Sequence, residues 1–164
     1  NLLAAKQVLD KLALSETGHV GLETLEGHLI DQAKFDVFML CDVMLAGDAP
    51  KALRMLDLLL GEKTEPTIIV WALVKDIRLL ATLHDAKTKS SLPALFKQHR
   101  IWPNRQPLIQ KSLTRLSQKD CLHALQSASH LDQLTKGMAV GDVRFGLQQF
   151  LVTLTQPKAL TPAA

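Results

Sequence analysis

The 164-residue sequence has no tyrosine, two cysteines, eight glycines and seven prolines. Each scarcity excludes something. Cys41 and Cys121 stand far apart in apolar helical text and form no CxxC pair. A disulfide framework or a thiolate zinc site of the usual spacing is therefore not expected, and both cysteines read as buried free thiols. The glycines are scattered helix breaks, and the lack of a Gly-rich phosphate loop excludes a nucleotide site of the P-loop type. The six histidines show no metal spacing with carboxylates or thiols, and Cys121 and His123 fall on different faces of a helix. No Ser, His and Asp grouping stands in a nucleophile-elbow context. The sequence therefore predicts no catalytic residue, no metal and no cofactor. The longest apolar run, Thr67–Val74, stops at Lys75, short of the roughly 20 residues a membrane span needs. No signal peptide is visible, so the expected location is the cytoplasm, with no membrane partner.

Charge is also modest. A net charge of +3 permits an acidic partner or a phosphate backbone without demanding either. What the chain has in quantity is leucine, with alanine, lysine and glutamine, all good helix formers. The prediction is an all-α fold of one domain, or one domain with a fragment of a neighbour.

The chain opens Asn-Leu-Leu-Ala-Ala-Lys, without Met and already in helical register, which reads as a cut through a longer protein. Apolar spacing predicts helices over Asn1–Leu14 and Leu22–Ala33, too little to fold alone. They are expected to be the last two helices of a small helical domain, 1–33, with a boundary at Lys34-Phe-Asp36. In the second domain, 34–164, a helix from Val37 to Ala46 is expected to turn Phe38, Leu40, Cys41, Met44 and Leu45 inward and to stop at Gly47. Asp48 caps the next helix, which stops at Gly61. Thr67–His84 is apolar nearly all round, broken only by a stripe through Thr67, Lys75, Arg78 and Thr82. It is expected to be the buried centre of a bundle, with Trp71 in the core. Asn104–Leu116, a helix opened by the capping-box-like Ser117-Gln-Lys-Asp120, and Asp142–Leu154 complete the domain.

The chain turns on Leu92–Arg105. Phe96, Ile101 and Trp102 are large apolar anchors there, set among Lys97, Arg100 and Arg105. These cations continue into Lys111, Arg115 and Lys119, with Asp120 the first acid afterwards. One reading of this cluster is a solvated basic face. The other is a phosphate track, with Trp102 offering a stacking surface to single-stranded nucleic acid. Trp102 is equally compatible with core packing. In the last helix, Val143, Leu147, Phe150, Leu151 and Leu154 make a narrow apolar face suited to a neighbouring helix, in this chain or in another subunit.

The pattern Leu-x-x-Leu-Phe-x-x-x-Arg-Ile-Trp-x-Asn-Arg over Leu92–Arg105 resembles the delta-subunit family of bacterial DNA polymerase III clamp loaders. Phe35-Asp-Val-Phe-x-Leu-x-Asp-x-x-Leu-x-Gly47, Ala52-Leu-Arg-Met-Leu and Glu65-Pro with the Trp71-Ala-Leu helix extend the resemblance, and Asn-Leu-Leu-Ala at the start looks like the family's lid domain. The resemblance implies a remnant of the helical lid followed by the collar domain, a non-catalytic part that assembles a ring of five subunits. The implied partners are the ATPase gamma and tau subunits, delta-prime and primed-template DNA. Contact with the sliding clamp would run only through an amino-terminal domain not in this sequence. The resemblance also puts Trp102 near the exit of template DNA. Where relatives can carry a second aromatic, this sequence has Ala139. Two alternatives come from other classes, a free-standing helical single-stranded nucleic-acid-binding domain and an all-α enzyme.

Overall fold

The computed structural model describes residues 36–157, and these are helices and connecting turns with no strand among them. The two helices expected before residue 34, and the domain boundary there, lie outside the described residues.

Helix α1 (residues 36–46) ends on Gly47, whose φ of +79° sets a left-handed turn. The Gly47 N–H donates to the Met44 carbonyl at 3.0 Å and the Asp48 N–H to Val43 at 3.3 Å, which satisfies the helix's terminal carbonyls. Asp48 then caps α2 (Ala49–Gly61), its carboxylate accepting the Lys51 N–H at 3.0 Å, with Pro50 in the first turn. Helix α3 (Pro66–Ala86) is the long central helix. The short α4 (Leu92–Gln98) and α5 (Gln106–Arg115) follow. Helix α6 (Gln118–Thr135) opens on a full capping box, in which Ser117 and Asp120 each accept the other's backbone N–H. Helix α7 (Val143–Thr155) is capped by Asp142.

α3 packs most extensively on α6, α6 on α7, and α7 on α2. The Nε2 of His84, near the end of α3, lies 2.7 Å from the carbonyl oxygen of Leu116, just before α6. The two helices therefore run antiparallel. The core gathers along α3, where Ile69, Leu73, Ile77, Leu80 and Leu83 have no exposed surface. This agrees with the sequence reading of a buried central helix. Both cysteines are free and buried. At Gly146 a Cβ would stand 3.0 Å from a Leu131 methyl, so a larger residue there requires the Leu131 side chain to give way.

Phe38 corrects the reading of α1. Leu40, Cys41, Met44 and Leu45 are buried as expected, but Phe38 falls beyond the edge of that stripe and is exposed. The apolar face of α7 resolves in favour of packing inside the chain. Leu147, Leu151 and Leu154 are fully buried, Phe150 nearly so, and Val143 packs partly buried against the same core. Four of the five residues expected at a subunit contact thus spend their surface inside the chain, and Val143 alone keeps part of its own.

Arg115 joins distant ends of this bundle. Its guanidinium donates to the carbonyls of Met44 (2.9 Å) and Leu45 (3.2 Å) at the end of α1, and to Leu154 (3.3 Å) at the end of α7. Helix C-termini present carbonyls with spare acceptor capacity and attract cations. The guanidinium passes so close to Gly47 that a Cβ there would stand 2.6 Å from Nη1. Burial pushes the Arg115 guanidinium below its ordinary value.

Candidate nucleic-acid interface

The segment between α4 and α5 is built from two helix ends. Leu95 and Phe96 root α4 in the core. The helix then closes as the Arg100 N–H donates to Lys97 at 3.1 Å and the Ile101 N–H to Phe96 at 2.9 Å. That closure holds Arg100 at a φ of +52°, a conformation glycine normally takes. Two residues on, the Trp102 carbonyl accepts the Arg105 N–H at 2.9 Å and the Gln106 N–H at 3.3 Å. The Gln106 side chain donates to the Ile101 carbonyl at 3.1 Å. Trp102 thus sits on a knuckle pinned by hydrogen bonds on both sides.

The indole itself is 73% exposed, while Phe96 is buried and Ile101 partly so. Of the three expected anchors, Trp102 does not pack inward. Lys97 and Arg100 are exposed beside it. Arg105 is not free in the same way. Its Nε donates to Asp42 of α1 at 2.8 Å, and its two Nη atoms take both oxygens of Asp76 of α3, at 2.7 and 3.3 Å. Hydrogen bonds and charge from both carboxylates hold this guanidinium above its ordinary value, against the opposing effect of burial. Such a paired fork positions rather than recruits. Arg105, expected among the phosphate contacts, is thus engaged in tying the knuckle to α1 and α3. In the wider basic cluster, Arg115 is likewise turned inward, and Lys111 and Lys119 remain exposed.

A second exposed aromatic was missed. Trp71, expected in the core, is 58% exposed, and the Lys75 ammonium lies over its ring, 5.5 Å from the centroid. The signal was present. Trp71 shares helical spacing with Lys75, Arg78 and Thr82, so it belongs to the polar stripe. Asp76 was overlooked on the opposite face. An acid inside an apolar helix requires a cation partner, and Arg105 is that partner.

Among the described residues, no group of three or more His, Cys, Asp and Glu side chains could hold a metal ion, and no helix is long and apolar enough to cross a membrane.

A family model described as "Processivity clamp loader gamma complex DNA pol III C-term" matches residues 37–160. The chain belongs to this clamp-loader family. It is similar to DNA polymerase III subunit delta of Escherichia coli, at 36% identity over 127 residues, covering 77% of this chain and 37% of the relative. It is also similar to DNA polymerase III subunit delta of Haemophilus influenzae, at 29% identity over 146 residues, covering 83% of this chain and 42% of that protein. The chain thus spans about two fifths of the length of these curated relatives. Among solved structures it resembles a Bacillus subtilis DNA clamp loader delta protein with a TM-score of 0.59 at 17% identity, covering 92% of this chain and 45% of that one. At that identity the likeness speaks for the fold. The matched span of the clamp-loader family includes the Trp102 knuckle, the Arg105 pairs and the Arg115 tie.

Proposed function

We propose that residues 34–164 are the collar part of a clamp-loader delta subunit and residues 1–33 the end of its lid. In this reading the chain is a non-catalytic assembly piece of the DNA polymerase III holoenzyme. It joins the ATPase subunits and delta-prime in the cytoplasm, and primed-template DNA passes through the assembled ring. The observation that carries the reading is the clamp-loader family match over residues 37–160. It favours an assembly part over a free-standing nucleic-acid binder or an all-α enzyme.

Within that assembly Trp102 meets the template strand. An indole 73% exposed on a pinned knuckle, with Lys97 and Arg100 beside it, supports this role. An aromatic face takes a base while neighbouring cations neutralise phosphates. Lys97 and Arg100 carry the phosphate contacts, and Arg105 acts through the geometry of the knuckle.

The test has two levels. The full-length subunit is mixed with the ATPase subunits and delta-prime and followed by size-exclusion chromatography. Failure to form a joint complex would overturn the assembly reading. In the complete loader, Trp102→Ala is expected to weaken primed-template binding by up to about two orders of magnitude, since stacking is worth roughly 1–3 kcal/mol per base. Lys97→Ala is expected to flatten the salt dependence of binding instead. Unchanged affinity in both variants would remove the template contact while leaving the assembly role intact.

A further inference from the structure

A helix apolar nearly all round belongs inside a bundle, yet the described residues leave part of α3 open. The side left open carries Ile68 and Trp71, both exposed, and then Lys75 and Arg78. Between this side and α6 runs an open groove of about 640 Å³. Val70, Val74 and Leu125 contribute to its apolar floor, Trp71 stands at its edge, and Lys75 and Arg78 form one rim. Among the described residues that line it, the one carboxylate, Asp132 on α6, is already paired with Lys136 at 2.6 Å. No ion pair engages Lys75 or Arg78 among the described residues. The groove therefore combines an aliphatic floor, an aromatic edge and unneutralised positive charge.

Resting on the assembly reading above, we infer that this groove seats an apolar helix with acidic flanking residues, supplied by a neighbouring clamp-loader subunit. The chemistry favours protein over nucleic acid as the occupant. The Lys75 ammonium already lies over the Trp71 ring, covering a face on which a base would stack. The aliphatic floor suits leucine-sized side chains, as in a helix laid into a groove. The cationic rim selects for acidic flanks. Trp and Arg are also the residues that concentrate binding energy at interfaces. This surface lies on α3 and α6, apart from the buried face of α7.

The experiment uses the full-length subunit and its loader partners. A photo-crosslinking residue at position 71 is expected to couple to a neighbouring subunit, within a segment bearing acidic residues. Coupling to DNA, or to the subunit's own amino-terminal part, would overturn the inference. Trp71→Ala is expected to weaken joining of the complex about tenfold or more, as at interface hot spots, and Arg78→Glu to weaken it as well. Reversing the charge of an acidic residue in the crosslinked segment should restore the Arg78→Glu variant. Both side chains are exposed, so circular dichroism and melting of the free subunit should be unchanged. If the wild-type subunit assembles and both variants assemble equally well, the groove is not the seat. If the wild type itself does not assemble, the assembly reading fails with it.

Discussion

Arg105 and Asp76 meet edge to edge, with Nη2 2.7 Å from Oδ2 and Nη1 3.3 Å from Oδ1. Asp76 is only 6% exposed, and Asp42 holds the remaining Nε edge of the same guanidinium. Removing one partner leaves a partly buried charge short of hydrogen bonds. Asp76→Ala is therefore expected to cost roughly 1–3 kcal/mol, read as a lower urea midpoint. It should also loosen the knuckle and reduce loader affinity for DNA without touching Lys97 or Arg100. Full stability in the variant would show that the pair contributes nothing net.

Arg100 offers a separable pair of effects. Its φ of +52° strains an L residue. Relief of that strain, less the extra freedom glycine gains in the unfolded chain, favours Arg100→Gly by about 1 kcal/mol. The same change deletes an exposed cation to which a phosphate contact is assigned in the proposed function. The variant should melt higher and bind primed template more weakly in the complete loader. A lower melting temperature would mean the arginine side chain stabilises the closure itself.

The buried face of α7 makes its substitutions structural. Leu147 has no exposed surface, so Leu147→Glu would put a carboxylate into apolar surroundings. The expected outcome is loss of the helical circular-dichroism signal, with lost assembly only a consequence. Leu73→Ala in α3 should cost about 2–5 kcal/mol, by the usual cavity penalty. A folded Leu147→Glu variant that merely fails to assemble would return that face to the subunit interface.

The cysteines should be inert in the native state. Burial pushes the Cys121 thiol up to about 11 and raises Cys41 further. Thiolate, the reactive form, is scarce at pH 8. Iodoacetamide should label neither residue until the chain is unfolded. The sign of the linkage follows. The folded Cys121 keeps its proton to about pH 11 while the unfolded chain releases it near 9.0. Stability is thus lost as pH rises across that window. Rapid native alkylation at pH 8 would contradict the burial of these groups.

Local chemistry was the legible part of this fold. The Gly47 closure, the Asp48 cap and the Ser117–Asp120 box each depend on residues within a few positions, and they stand where their sequence signals put them. Periodicity also located the buried side of α3. It could not say what a buried face packs against, which left α7 open between two partners. Arg105 was read from its neighbours as a surface cation because Asp42 and Asp76 lie 63 and 29 residues away. The Asp76 carboxylate inside α3 was the available hint. Trp71 was assigned by hydrophobicity when its spacing relative to Lys75 and Arg78 put it on the open side.

Arg115 has a consequence for how the protein is made. Its guanidinium closes on carbonyls from the first described helix and the last. Domains emerge from the ribosome amino-terminal end first, so Met44 and Leu45 are made before Arg115, and Arg115 before Leu154. A nascent chain stopped before α7 would hold a partly buried cation with some of its acceptors missing, beside core leucines left uncovered. Such a product would lack the Leu154 acceptor, so the fastening that stabilises the finished domain is complete only once α7 is in place.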